Sequence, residues 1–230
     1  MGKVVIITGA SGNLGKAVVE KLIGEGYTVV VTVMPNTSLG HHEDHPQVDI
    51  HTLDLLDEPA AEGFIHVVTK KYGSIQAALL LVGGYASGSI RDTNNSALKK
   101  MYALNFETAY NLARPVFNQM VSQAGGRIIF VGARPALNPA EGKSNLAYAL
   151  SKSLIFKLSE YLNAEGAEKN VVSSVIVPSI LDTPENRKAM PKADFSTWVD
   201  PKEVADTMAF ILSEKSAALR EPVFKMYGRA

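Results

Sequence analysis

The sequence predicts an α/β fold: a doubly wound, mostly parallel sheet of seven strands with helices on both faces. Three observations predict it. Short β-branched apolar runs alternate with segments of helical period from one end of the chain to the other. The strand-like runs are apolar throughout, as strands covered on both faces should be. No repeat, low-complexity tract or linker interrupts the alternation, so residues 1–230 read as a single domain.

The first strand is "KVVIIT", Lys3 to Thr8. In "NLGKAVVEKLIGEG", Leu14, Ala17, Val18, Lys21 and Leu22 fall at helical spacing, and Gly24 and Gly26 can end the helix. "YTVVVTV" and "VDIHTL" are the second and third strands. A helix through "EPAAEGFIHVVTKKYG" leads to the fourth strand, "QAALLLV". One long helix is expected from about Ser96 to Ser122, kinked or broken at Pro115. "GRIIFVG" is the fifth strand, and a helix from about Asn145 to Glu165 follows it. "VVSSVIVP", a helix in "PKEVADTMAFILS" and the short strand "PVFKMY" complete the chain.

Composition narrows the function. Lys plus Arg equals Asp plus Glu, at 23 each, so there is no electrostatic case for nucleic acid or an acidic membrane as partner. There is no cysteine, which excludes disulfides and thiol catalysis. No apolar stretch approaches the ~20 residues a membrane helix needs, and the N-terminal apolar run is too short for a signal-peptide core. The expectation is a soluble, cytoplasmic protein with a small-molecule substrate.

In open parallel sheets ligands bind beyond the carboxyl ends of the strands, at the switch point. The loop after strand one, "TGASGNLG", places glycines at 9, 12 and 15 between a strand and a helix. Glycine lets backbone approach a pyrophosphate, and a helix N-terminus offers free N–H groups to it. Gly9, Ser11, Gly12, Asn13 and Leu14 are therefore expected to bind a dinucleotide. The run from Thr28 to Gly40 holds no acid to grip ribose hydroxyls. Asn36, Thr37, Ser38 and His41 could donate to a 2′-phosphate, so the sequence leans to NADP(H) over NAD(H), although no arginine clamps it. A solvated loop is the plain alternative. "HHEDH", His41 to His45, reads as that loop rather than as a metal site.

"NLAYALSK" holds Tyr148 and Lys152 four apart, on one face of the helix after strand five. A fixed ammonium beside a phenol favours the phenolate and lowers its pKa, which suits proton transfer near neutrality. The same lysine could hold a nicotinamide ribose. The bland reading is a surface tyrosine beside a solvated lysine.

With these residues the chain resembles the short-chain dehydrogenase/reductase family over essentially its whole length. "TGASGNLG", Asp54 in "TLDLLD", Gly83, Asn105 in "ALNFETAY", Tyr148, Lys152 and "PSILDT" carry the resemblance. It implies a Rossmann-type sheet, NAD(P)(H) and hydride transfer. Asp54 would contact adenine, and Leu55, Gly83 and Gly84 would also bind the coenzyme. Asn105 would hold a water next to Lys152. Ile180 and Thr183 would hold the carboxamide, and Pro178 would also bind the coenzyme. Pairing into a homodimer or homotetramer would use the two long helices.

One departure matters chemically. The family usually places a serine at the end of strand five to polarise a carbonyl; here Gly132 and Ala133 stand there. "GGYASG", "GARPAL" and "VPSILDTPENRKAMPKADFSTW" are similar to quinoid dihydropteridine reductases, including alanine for serine, with Tyr85 where those have tryptophan. The resemblance implies a flat conjugated acceptor such as a quinonoid dihydropterin. It also implies a substrate lid at about 182–200, with Tyr85, Ala133, Met190 and Trp198 near the substrate. Met190, Phe195 and Trp198 could equally dock that segment onto the body. The alternatives are a general carbonyl or quinone reductase, with a second donor from "NPAEGKSN", and an NADP(H)-sensing binding protein with little catalysis.

Overall fold

A computed structural model describes residues 2–229, apart from the side chain of His41. The strands are β1 (Val4–Thr8), β2 (Thr28–Val33), β3 (Val48–Thr52), β4 (Ala77–Leu80), β5 (Gly126–Val131), β6 (Val171–Pro178) and β7 (Val223–Met226). They form one sheet in the order β3-β2-β1-β4-β5-β6-β7. Every neighbouring pair is parallel, so the sheet is wholly rather than mostly parallel.

The helices are α1 (Asn13–Gly24), α2 (Glu58–Tyr72), α3 (Asn95–Tyr102), α4 (Thr108–Ser122), α5 (Arg134–Leu137), α6 (Pro139–Gly142), α7 (Leu146–Gly166), α8 (Pro184–Ala189) and α9 (Pro201–Leu212). Two apolar layers follow from the strand period. Val4 and Ile6 point into the layer under α2, α4 and α7, with Phe64, Leu112, Val116 and Ile155. Val5 and Ile7 point into the layer under α1 and α9, with Val18, Leu22, Val204 and Met208. Burial on both sides explains why β1 reads as an unbroken apolar run. Among the described residues no helix is long and apolar enough to cross a membrane.

The expected single helix from Ser96 to Ser122 is two, α3 and α4, joined by a π-helical turn at Ala103–Glu107. Pro115 lies inside α4 and does not end it. The packing of Leu112, Val116 and Met120 against the sheet carries the helix through the lost backbone donor. Such π turns gather at functional positions, and this one holds Asn105 at 1% exposure. The short helices α5, α6 and α8, at four, four and six residues, are too brief for a period to reveal.

The strand order places the switch point at β1, with β2 on one side and β4 on the other. Thr8 Oγ1 accepts from Leu81 N at 3.0 Å and so ties the end of β1 to the chain leaving β4. The crevice opens above that junction.

Candidate active site

The loop after β1 is built by close approach. Gly9 has φ 66°, and a Cβ there would stand 3.1 Å from Val82 N and 3.2 Å from the Leu81 carbonyl carbon. At Gly15 a Cβ would fall 2.2 Å from Gly9 O and 2.6 Å from Ala10 Cα, so α1 lies directly on the loop. Gly12 caps α1 without a side-chain hydrogen bond, and the first turn holds no acid. The helix N-terminus is thus left without a side-chain cap and electropositive. These features fit a pyrophosphate. Ser11, Gly12 and Asn13 stand on the rim, whereas Leu14 turns into the apolar layer under α1. Asn13 Nδ2 donates to Glu185 Oε2 of α8 at 2.5 Å, which joins the rim to the segment expected to act as a lid.

Asn36 and Thr37 are exposed after β2, Asn36 at φ 62°. Thr37 Oγ1 donates to Met34 O at 2.6 Å, and Ser38 Oγ accepts from Gly40 N at 2.9 Å. The acid-free run is not free of carboxylates in space. Glu43 folds back, accepts from Leu39 N at 3.0 Å, and is held below the usual carboxylate range first by the Ser38 hydroxyl and then by that amide. The His41 side chain, expected among the donors, lies outside the described residues. Among those described, no three His, Cys, Asp or Glu side chains gather as metal ligands.

Asp54 is exposed, and its Oδ1 accepts from Leu56 N at 2.9 Å. Leu55 is a core side chain, so only its backbone is open to a ligand. Its carbonyl accepts from Asn111 Nδ2 of α4 at 2.9 Å. Asn111, unnoticed in the sequence, could have been found as a polar residue inside the apolar face of α4.

Tyr148 is the third residue of α7 and is partly buried. Its ring meets Tyr85 edge-on, with centroids 5.2 Å apart and planes at 67°. Lys152 follows one turn later, is 5% exposed, and donates from Nζ to Val131 O at 2.8 Å. A Cβ on Gly83 would lie 3.0 Å from that Nζ and 2.8 Å from Asn105 Oδ1, so a larger residue at 83 would wedge them apart. Asn105 Oδ1 accepts from Gly84 N at 2.8 Å. Its Nδ2 donates to Gly84 O at 3.1 Å and to Ser151 Oγ at 3.0 Å. Ser151 Oγ in turn donates to Tyr148 O at 2.8 Å. The π turn, the loop after β4 and α7 form one hydrogen-bonded unit. Ser151 escaped notice, although its place beside Lys152 was the available signal.

The expected acidification of the phenol is corrected. Tyr148 is pushed up to about 12 by burial, with the Tyr85 phenol adding to the shift. Lys152 is pushed down to about 8, also by burial. The ammonium is engaged by a neutral carbonyl and set in apolar surroundings, and such surroundings disfavour both charged forms. At neutral pH the phenol therefore keeps its proton and the lysine its charge. That arrangement can give a proton away more readily than it can take one.

Ala133 follows β5 at 3% exposure and brings no hydroxyl. One turn before Tyr148 stands Asn145, at 8% exposure, whose enclosed Oδ1 meets no donor among the described residues.

Pro178 ends β6. Ile180 O accepts from Val199 N at 2.9 Å, and Leu181 pairs with Val199 as a parallel bridge. Thr183 is buried and caps α8, its Oγ1 accepting from Asn186 N at 3.2 Å. The segment is stapled internally. Arg187 grips Asp182 with a fork of 2.5 and 2.7 Å and lies 4.8 Å over the Phe195 ring. Phe195 packs on Trp198 at 4.8 Å between centroids. Trp198 is buried, and Met190, partly buried, closes α8.

A family profile for short chain dehydrogenase matches residues 3–194. An acetoacetyl-CoA reductase of Acinetobacter sp. (strain RA3849) is 25% identical over 230 aligned positions, covering 94% of this chain and 92% of that protein. A dihydropteridine reductase of Dictyostelium discoideum is 28% identical over 213 positions, covering 90% of this chain and 87% of that protein. Among solved structures, ElxO with NADP bound matches with a TM-score of 0.88 at 20% identity, over 99% of this chain and 98% of that one. At that identity the likeness is one of fold.

Proposed function

The chain belongs to the short chain dehydrogenase family and is an NAD(P)(H)-dependent oxidoreductase, and we propose that it is a reductase of flat conjugated acceptors of the quinonoid dihydropterin kind. One observation carries this reading. A protonated Tyr148, a buried Lys152 tied to the end of β5 and an Asn105 network go with an Ala133, just after β5, that brings no carbonyl-polarising hydroxyl. A conjugated imine-like acceptor spreads developing charge over its own ring and needs that hydroxyl less than a ketone does. The dihydropteridine reductase among the relatives supports the same acceptor class.

Gly9, Ser11, Gly12 and Asn13 would hold the pyrophosphate, Asp54 and the Leu55 backbone the adenine, and Pro178, Ile180 and Thr183 the carboxamide. When bound, the coenzyme supplies the hydride. Tyr148 Oη gives its proton to the acceptor atom that gains electron density. Lys152 holds the ribose and replenishes the phenol, and Asn105 supports that relay. Gly83 and Gly84 let Asn105, Lys152 and Leu104 pack closely against the loop after β4, which would set the floor for the coenzyme. Tyr85, 64% exposed, offers its face to a flat ring.

The open run from Thr28 to Gly40 supports NADP(H) over NAD(H), while Glu43 folded onto Leu39 tempers the preference. Exposed Tyr102, Tyr110, Leu150 and Leu154 on α3, α4 and α7 support pairing of two chains through those helices. The test is a panel of quinonoid dihydropterin, menadione and simple ketones, assayed with NADPH and NADH. Quinonoid dihydropterin should give the highest kcat/KM. Preference for simple ketones overturns the reading.

A further inference from the structure

We infer that Asn145 is a specificity-determining residue of this site: its free side-chain amide receives the amide-like edge of the acceptor, a ring N–H adjacent to a C=O. The inference rests on the reductase reading above and names the chemical feature its substrate must carry.

Asn145 is buried, yet no side-chain hydrogen bond engages its amide among the described residues, and its Oδ1 is enclosed without a donor. It stands at the N-cap of α7 but does not cap, so the usual reason for an asparagine there is missing. Buried polar atoms nearly always find partners, and an orphan calls for a ligand or a function. Its place supplies one. Asn145 precedes Tyr148 by one helical turn, and helical side chains lean over the turn N-terminal to their own Cα. Three residues apart, the two sit on the same side of the start of α7. The segment that brings Tyr85 against Tyr148 also pairs with Asn145, since Gly88 N donates to Ser144 O at 2.8 Å and Leu146 N to Gly88 O at 2.9 Å. The segment after β4 therefore meets α7 at both residues, at Tyr148 through Tyr85 and at Asn145 through Gly88.

An asparagine amide is an acceptor beside two donors. Its complement is a donor beside an acceptor, which is the edge of a cyclic amide. A pterin has that edge, and so does isatin; menadione has none. A flat ring entering between Tyr85 and Tyr148 displaces the first from the second and lays the Asn145 amide open. Oδ1 then accepts from the ring N–H while Nδ2 donates to its C=O.

The experiment compares wild type, Asn145→Ala and Tyr148→Phe with quinonoid dihydropterin, isatin and menadione, alongside NADPH affinity by fluorescence. Asn145→Ala should lower kcat/KM for dihydropterin and isatin roughly 10- to 100-fold, with menadione turnover and coenzyme affinity within about twofold of wild type. An equal fall for all three acceptors marks a structural role and overturns the inference, as does no fall for any. Should Asn145→Ala fail to fold, Asn145→Asp keeps the size and lacks the donor; undiminished reduction of isatin and dihydropterin by it overturns the inference too. A wild type that reduces isatin but not dihydropterin overturns the pterin reading alone, and the inference is then decided on isatin. A wild type that reduces none of the three overturns both.

Discussion

The two ends of the crevice are made of different material. The β1 end is shaped by backbone: Gly9 and Gly15 sit where any Cβ would meet main-chain atoms at 3.1 and 2.2 Å. The α7 end is shaped by side chains whose properties come from burial, with Tyr148 pushed up to about 12 and Lys152 down to about 8. A backbone site depends on residue types that are visible in a string of letters. A side-chain site depends on what packs around it. The first end is thus rigid in specification, and the second is open to retuning by single substitutions.

The largest effect should come from the backbone end. Gly15→Val places atoms on Gly9 O and Ala10, and neither can yield without lifting α1 from the loop. Coenzyme binding, followed by fluorescence titration, should be lost, together with several degrees of thermal stability. Retained binding would show that the loop tolerates what the contact forbids.

Next is Tyr148→Phe, which should cost about 100- to 10,000-fold in kcat and leave coenzyme affinity unchanged. That split separates the two ends, since only one of them is touched. Equal losses in both would merge them into a single unit.

Lys152→Met sharpens the contrast through pH. The folded lysine titrates near 8 and the free one at 10.5, so the buried ammonium destabilises the native state below pH 8. The shift corresponds to about 3 kcal/mol, offset in part because the variant leaves the Val131 carbonyl without its donor. The penalty fades as pH rises from 8 to 10.5. Stability of the wild type relative to Lys152→Met should therefore climb over that interval in denaturant titrations. A flat difference would mean that the lysine is not desolvated. The variant should also lose turnover, trading function for stability.

The smallest effect belongs to Glu43→Gln. Removing a carboxylate that folds onto Leu39 should shift the NADPH-to-NADH ratio of kcat/KM roughly a fewfold toward NADPH. An unmoved ratio would place Glu43 away from the 2′-position.

The same contrast explains what could be read in advance. The seven strands, the glycine loop and the Tyr148–Lys152 spacing follow from local periodicity and residue type. The break at Ala103–Glu107 did not, because one extra residue in a turn leaves the helical period on either side intact, whereas Pro115 drew attention to the wrong place. Glu43 was missed because its carboxylate reaches back across a turn to Leu39. Ser151 and Asn145 are ordinary letters in "SNLAYALSK"; only the packing of α7 against the β4 loop shows that Asn105 engages the first and that the Oδ1 of the second meets no donor among the described residues. The direction of the Tyr148 shift was read wrongly for the same reason. Spacing placed the lysine near the phenol but could not reveal that Val131 holds it.

The bridge between Leu181 and Val199 has a consequence for engineering. The excursion from 182 to 198 leaves and rejoins the body at that bridge, carries its own staples in Arg187, Phe195 and Asp182, and touches the rim where Glu185 accepts from Asn13. Such a segment is a cassette. With Thr183 kept, the part beyond it can be exchanged for one of different length and chemistry, so what the crevice admits can be rewritten without touching Tyr148, Lys152 or Asn105.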